Sequence, residues 1–444
     1  MTDRLIDHSP PEQAALVIHP SSNRDTGLRD PRARLEEAVG LAEALDLAIK
    51  GADIVPLRAT NPATLFGKGK VAEIAATCHN LEIDVVVVDD ALTPVQQRNL
   101  EKAWQAKVID RTGLILEIFS RRARTKEGRL QVELARLAYE RSRLVRTWTH
   151  LERQRGGLGA MSGPGETQIE TDRRLLTGKV ARLKKELEEV RRTRGLQRQA
   201  RQRAPAPTIA LVGYTNAGKS TLFNRLTDSD VVAKDMLFAT LDPTLRAIKL
   251  PEGRPAVLSD TVGFISDLPH ELVEAFRATL EEVKGADVIV HVRDIAGVDS
   301  AAQAEDVRKV LKQIDVEPDS DRVIEVWNKV DLLDEDGRIS VISRALRTRD
   351  QPTGRAIAVS AVTGEGMDAL LDLFAEMIDQ DEPVQADLAA SDGRALAWLY
   401  RHGRILDRQD DAEGRVHLSV KLDRQALGQF EQLFPDALGG IAAE

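Results

Sequence analysis

A chain of 444 residues is too long for one hydrophobic core and calls for several domains. It is 42% hydrophobic and 30% charged, and no run approaches the roughly 18 apolar residues of a bilayer span, which excludes an integral membrane protein. The single cysteine, Cys78, excludes an internal disulfide or a cysteine-rich zinc site, and the net charge of −9 hides a basic segment: residues 121–203 hold 23 Lys and Arg against 10 Asp and Glu, leaving −22 for the rest.

The chain begins MTDRLIDHSPPEQ, with acids and prolines and no apolar stretch behind a basic start, so a cytoplasmic protein without a secretory signal is expected. From about Glu12 to Ile118 short apolar runs alternate with helical patterns: AALVIH, RLEEAVGLAEALDLAI, DIVPLR, KVAEIAATCHNL, VVVVDD, PVQQRNLEKAWQ and KVID. Strands that are apolar throughout and separated by helices predict a small parallel-sheet α/β subdomain covered on both faces, residues 1–118, with Cys78 as a core thiol. Within it FGKGKVAEI sets Gly67, Lys68, Gly69 and Lys70 before a helix, a pattern open to three readings: a helix N-terminus touching RNA phosphate, a plain turn, or an ATP site.

Residues 119–203 read as a long antiparallel helical hairpin. Leu130, Leu134, Leu137, Arg141, Leu144, Trp148 and Leu151 step by three and four residues, as do Leu176, Val180, Leu183, Leu187 and Val190, which is a heptad seam on each of two helices. Each arm should be on the order of 40 to 50 Å long. Arg141 interrupts the first seam, either marking register or reaching past it to solvent. Between the arms RGGLGAMSGPGETQIE, Arg155 to Glu170, concentrates five glycines and a proline, with residues 155–165 as the tip. A basic arm on an acidic body points to a polyanion such as nucleic acid as partner, and a tip poor in side chains can bring backbone N–H groups close to crowded RNA.

RAPAPT ends the hairpin, and residues 204–382 predict a doubly wound P-loop domain. TIALVGYTNAGKSTLFNRL places G-x-x-x-x-G-K-S after an apolar strand and before a helix, the context that motif requires. Gly213 and Gly218 let the loop curl so that the N–H groups from Tyr214 through Thr215, Asn216 and Ala217 to Lys219 face a diphosphate. Lys219 reaches the β- and γ-phosphates and Ser220, followed by Thr221, offers its hydroxyl to Mg²⁺. VIEVWNKVD then supplies Asn328, Lys329 and Asp331. A carboxylate at Asp331 accepts guanine N1–H and N2–H together, whereas adenine would leave it unpaired, so the ligand is read as GTP. Lys329 should lie over the base and Asn328 should tie this loop to the P-loop, while Ser360 and Ala361, with Val362 beside them, meet the guanine oxygen. In LSDTVG, Asp260 should hold Mg²⁺ through water and Gly263 should present its N–H to the γ-phosphate, with Thr261 and Val262 between them. FATLDPT (Phe238, Ala239 and onward) offers Thr240, or else Thr244, as the residue that closes over the metal. After DQDEPVQADLAASDG, a helix GRALAWLYRHG, a hairpin around residues 410–414, VHLSVKL and a last helix RQALGQFEQLF predict a small α+β domain over residues 383–444.

These motifs, in this order, are those of translation-factor-like GTPases, and the flanking sequence is narrower still. NPATLFGKGK, RNLE, DRTGLILEIFSRRARTKEGRLQVELARLAY, GGLGAMSGPGETQIETDRR, VGYTNAGKSTLFN, LFATLDPT and DTVGFISDLPHELVEAFRATLEE closely resemble the HflX family of bacterial GTPases, over about Asn61 to Glu282 and more weakly at both ends. The resemblance implies a protein that binds the large ribosomal subunit in its GTP form, with the glycine-rich tip near the peptidyl transferase centre; a monomer is expected, although the sequence leaves the oligomeric state open. It would split stalled or idle ribosomes, with GTP hydrolysis releasing the factor. It also raises the ATP reading of the N-terminal part, reported for some members. Where Ras-like enzymes carry a glutamine after the switch glycine, this chain has Phe264, which implies slow intrinsic hydrolysis stimulated in trans. Lys219, Thr240, Gly263 and Asn216 are the candidate catalytic set, Asn216 because it matches the position at which some related GTPases hold K⁺. The competing readings are a ribosome-assembly GTPase, an ATP-driven RNA-remodelling enzyme and a signalling switch with a protein effector.

Overall fold

The computed structural model describes residues 12–22, 29–154, 164–201, 206–227, 237–238, 240–241, 244–267, 272, 280, 282–349, 351, 353–378, 383–411, 414–422, 424–435 and 437. They form two compact units, Met1–Asp372 and Leu373–Glu444.

The first unit opens with a four-stranded parallel sheet of order β2-β1-β3-β4, built from β1 (Ala14–Ser22), β2 (Ala48–Leu57), β3 (Val85–Val88) and β4 (Lys107–Asp110). Period-two alternation sorts its apolar residues. Ala15, Val17, Val85 and Val87 face α1 (Pro31–Glu43) and α4 (Arg111–Arg122), while Leu16, Ile18, Val86 and Val88 face α2 (Lys68–Asn80) and α3 (Pro94–Trp104). Both faces are therefore covered, and Cys78 is buried on the second. Helix α3 starts where Thr93 and Gln96 form a reciprocal capping box with Pro94 in the first turn. Gly67 caps α2 without a side-chain bond, and Lys70 pairs with Glu73 at 2.6 Å.

Three residues after α4 the chain enters α5 (Lys126–Gln154), which α6 (Pro164–Arg201) accompanies to make the hairpin. Leu130, Leu137, Leu183 and Leu187 are buried between the helices with Leu134, Leu176, Val180 and Val190 beside them, and Lys179 bridges to Glu133 at 2.9 Å. Arg141 is exposed and stays out of this seam. The side chains of Leu144, Trp148 and Leu151, and the tip at residues 155–163, lie outside the described residues.

A six-stranded sheet of order β10-β9-β8-β5-β7-β6 follows, parallel except for the antiparallel edge strand β6. Its strands are β5 (Thr208–Gly213), β6 (Thr244–Lys249), β7 (Pro255–Asp260), β8 (Val288–Asp294), β9 (Val323–Asn328) and β10 (Ala356–Ala358), and its described helices are α7 (Lys219–Thr227), α8 (Ser300–Gln313) and α9 (Glu335–Leu346), while α10 (Met367–Ile378) runs from the first unit into the second. The chain leaves β5 toward β6 and β7 on one side and later β8 on the other, so the carboxyl end of β5 is the switch point where such sheets bind ligands. One apolar cluster runs unbroken from Ala15, Leu41 and Phe119 to Ala210, Phe264 and Ile289, joining the two sheets of this unit.

In the second unit β11 (Pro383–Ala389), β12 (Arg404–Asp410) and β13 (Arg415–Lys421) form an antiparallel sheet of order β11-β13-β12. Leu399 of α11 (Gly393–His402) and Phe430 of α12 (Arg424–Leu433) share a core with Leu418 and Val420 of that sheet.

Candidate nucleotide site

A cavity of about 340 Å³ opens at the switch point, lined from three directions. The P-loop contributes Thr215, Asn216, Gly218, Lys219, Ser220 and Thr221. Phe238, Thr240, Thr261 and Gly263 close one end, and Asn328, Lys329, Asp331, Ala361 and Val362 the other. Segments some 150 residues apart in sequence thus meet in one space.

The loop's path requires its glycines. Gly213 has φ +153° and Gly218 φ +92°, and a Cβ on either would fall 2.2 Å from Val292 O or from Asn328 Nδ2. Not every N–H of the loop is free for a phosphate: that of Thr215 donates to Phe264 O at 2.7 Å and that of Ala217 to Tyr214 O at 3.3 Å. The Tyr214 side chain turns away from the cavity, donating through its hydroxyl to Glu37 at 2.5 Å and accepting the N–H of Ser266 at 2.8 Å.

Lys219 is buried, with its ammonium donating to the carbonyls of Gly213 (3.0 Å) and Tyr214 (2.7 Å). Burial lowers its pKa to about 8 against the opposing pull of Asp260. Burial conversely raises Asp260, although Lys219, Ser220 and Thr240 all favour its charged form. An excess of positive charge brought into this cavity by an ion, or of negative charge by a phosphate, would relieve one or the other.

Ser220 Oγ donates to Asp260 Oδ2 at 2.8 Å, Thr240 Oγ1 does the same at 2.9 Å, and the two hydroxyls are 3.0 Å apart. The other carboxylate oxygen, Asp260 Oδ1, is buried without a hydrogen-bond partner in the protein. Three converging hard oxygens and an unsatisfied carboxylate oxygen fit Mg²⁺, which takes oxygen ligands together with water. Between the two threonines left open by the sequence, Thr240 occupies this position, whereas Thr244 lies in β6 opposite Asp260. Ala239 lies outside the described residues. Gly263 comes so close to the P-loop that a Cβ there would be 3.1 Å from Lys219 Nζ.

At the base end Asn328 Nδ2 donates to Ala217 O at 2.9 Å and Asn328 Oδ1 accepts the Ala361 N–H at 3.0 Å, so one amide ties three loops together. Ser360 does not line the cavity; its backbone N–H and C=O are taken by Glu365 and Gly364 in the same turn. Val262 and Phe264 are buried in the apolar cluster, and Thr261 donates its hydroxyl to Leu211 O at 2.6 Å. Phe264 is thus a core residue, turned from the place where a water-orienting glutamine would act.

Three contributors were not anticipated. Leu332 lines the cavity next to Asp331 and is 66% exposed, a large apolar group at the surface whose only sequence signal is its place after NKVD. Arg225 of α7 donates to the carbonyls of Ala361 (3.1 Å) and Val362 and so braces the base loop. Asp294, at the end of β8, pairs with Lys329 at 2.8 Å. Among the described residues no group of three or more His, Cys, Asp or Glu forms a metal cluster, and no helix is long and apolar enough to cross a membrane.

Family models match the chain in series: GTP-binding GTPase N-terminal over residues 32–120, GTP-binding GTPase Middle Region over 122–201, 50S ribosome-binding GTPase over 208–329, and HflX C-terminal domain over 345–434. A GTPase HflX of Magnetococcus marinus is 49% identical over 430 residues, covering 96% of each chain. A GTPase HflX of Escherichia coli is 41% identical over 420 residues, 94% of this chain and 95% of that one. A crystal structure of a GTP-binding protein from the archaeon Sulfolobus solfataricus, in complex with GDP, is 25% identical and covers 83% of this chain and 99% of its own, with a TM-score of 0.44.

Proposed function

The chain belongs to the HflX family of GTPases, and from that premise we propose that it binds the large ribosomal subunit in its GTP form and splits stalled or idle ribosomes, with hydrolysis releasing it. The observation that carries the ribosomal part is the build of the hairpin. Its helices bury an apolar seam against each other and leave Arg136, Arg174, Arg182, Lys184, Lys185 and Arg192 exposed, on a chain that is acidic elsewhere. That is a stiff cationic arm for phosphate-rich RNA.

In this reading Asp331 accepts the guanine N1–H and N2–H, Lys329 covers the base, and Lys219 leaves its two carbonyl partners for the β- and γ-phosphates. Mg²⁺ would be held by Ser220 and Thr240 directly and by Asp260 through water, and it supplies charge neutralisation at the phosphates when bound. Gly263 presents its backbone N–H to the γ-phosphate, and Thr240 reports the phosphate's loss by leaving Asp260. Asn216, exposed at the cavity with φ +58°, is the place for a K⁺ ion, a role tested by comparing hydrolysis in potassium and sodium buffers. With Phe264 in the core, hydrolysis by the isolated protein is slow, and the partner orders the switch.

Co-sedimentation with separated subunits and whole ribosomes in GTP, a non-hydrolysable analogue and GDP tests the proposal. Large-subunit binding in the first two states, together with a fall in light scattering of whole ribosomes, is expected. Binding that leaves whole ribosomes joined would replace splitting by an assembly role, and equal indifference in all three states would remove the ribosome from the account.

A further inference from the structure

The residue that covers the base is held from outside the guanine-reading sequence. Asp294 ends β8, level with Asn328 in β9, and the N–H of Ile295 donates to Asn328 O at 3.1 Å, which fixes the two strand ends together. Its carboxylate divides its work. One oxygen accepts the N–H groups of Ala296 (3.1 Å) and Gly297 (3.2 Å), which sets the turn, and the other meets Lys329 Nζ at 2.8 Å. Both side chains are about four-fifths shielded from solvent, 23% exposed for the lysine and 21% for the aspartate, so this pair is not the kind of surface contact that salt and side-chain motion erase. Lys329 also has φ +67°, a conformation that L residues adopt only where the surroundings impose it.

We propose that Asp294 is a positioning residue for nucleotide binding, acting through Lys329. A free lysine stem is among the most mobile of side chains, and ordering it against a base subtracts from affinity. With its ammonium tethered, the methylene stem is already laid out as one wall of the base pocket when the nucleotide arrives, so that ordering cost is met during folding. Two consequences separate this role from others. The base is common to GTP and GDP, so both should depend on Asp294 equally, and hydrolysis at the distant γ-phosphate should not. The choice between guanine and xanthine belongs to Asp331 and should also be untouched.

The proposal rests on the reading of this cavity as a guanine-nucleotide site. Its test is stopped-flow dissociation of fluorescent GDP and of a fluorescent non-hydrolysable GTP analogue from the full chain, with single-turnover hydrolysis at saturating GTP. Asp294→Asn keeps an acceptor for the turn and removes the charge. Both nucleotides should leave faster by the same factor, about 5- to 10-fold from the lost pre-organisation, with the hydrolysis rate unchanged. Asp294→Asn in a Lys329→Ala background should add nothing further, because there is no ammonium left to hold. Asp294→Ser, smaller but still able to accept in the turn, should repeat the pattern if the first variant is too unstable to study. Unchanged dissociation, unequal effects on the two nucleotides, or additive losses in the double variant would overturn it. A wild-type chain that retained no guanine nucleotide would instead sink the site itself, and the two failures are told apart before any variant is made.

Discussion

His291 sits in β8 at 2% exposure, with Glu325 4.0 Å from its Nδ1 and the positive charges of Arg293, Arg308 and Lys219 acting on it. Burial, with those cations adding to it and Glu325 opposing, lowers its pKa from 6.5 to about 4. The folded chain therefore keeps this ring neutral where the unfolded chain would protonate it. Between pH 6.5 and about 4 the unfolded state binds the extra proton, so stability falls as pH falls through that window and is fully present above it. His291→Gln should lose about 2 to 3 kcal/mol less than the wild type between pH 7 and pH 4.5, as read from urea unfolding at the two pH values; parallel losses would refute it. At this scale the sequence was most informative where chemistry prescribes spacing: Gly213, Lys219, Ser220, Asn328 and Asp331 could be named because phosphate and guanine geometry demand them. It was silent on Asp294, Arg225 and Leu332, whose roles come from which strand ends and loops lie side by side in space. Even the substitution at Phe264 could be seen only as a missing glutamine; that the ring is core is a fact of packing.

Helices α5 and α6 show what periodicity can and cannot convey. The three-and-four spacing of Leu130, Leu134, Leu137, Leu176, Val180, Leu183 and Leu187 identified the seam because few arrangements other than a neighbouring helix bury such a narrow stripe. It also placed Arg141 on the stripe, and there an exposed guanidinium shows the pattern broken by a residue whose charge has better company in water. Leu187 is 5% exposed and, among the described residues, its apolar cluster is drawn from the two hairpin helices, so a cavity there can partly collapse. Leu187→Ala should cost about 2 kcal/mol, seen as lost amide-exchange protection over residues 176–190 while β5 and β8 keep theirs. Equal loss in all three places would mean that the hairpin and the central sheet melt as one unit.

Across the first unit as a whole, the alternation in β1 and β3 said that two faces were covered but not by what. One of them is shared with the nucleotide-binding sheet, a long-range fact that no local pattern encodes. Arg111 is at the centre of that junction, buried against Asp89 and Glu37 and donating to Ser266 O at 3.1 Å and Ser266 Oγ at 2.7 Å. Burial pushes the Asp89 carboxyl up, but Arg111, His19 and Arg34 outweigh it and hold it below the usual range. Removing the guanidinium takes the main cation from two buried acids, and His19 and Arg34 offset only part of that loss at Asp89, so Arg111→Ala should destabilise the chain by about 3 kcal/mol, measured by urea unfolding followed at two probes, one in each sheet. A change confined to one probe would show that the two sheets unfold separately. The same junction has a mechanical corollary. Phe119 of α4 meets Phe238 edge to face with ring centroids 4.6 Å apart, two residues before Thr240 and seven before the first residue of α5. At 1.5 Å per residue α5 is about 43 Å long, so a tilt of about five degrees at this aromatic fulcrum would sweep its far end through about 4 Å. A displacement too small to notice beside a phosphate would be, at the other end of the lever, the width of a base-pair step.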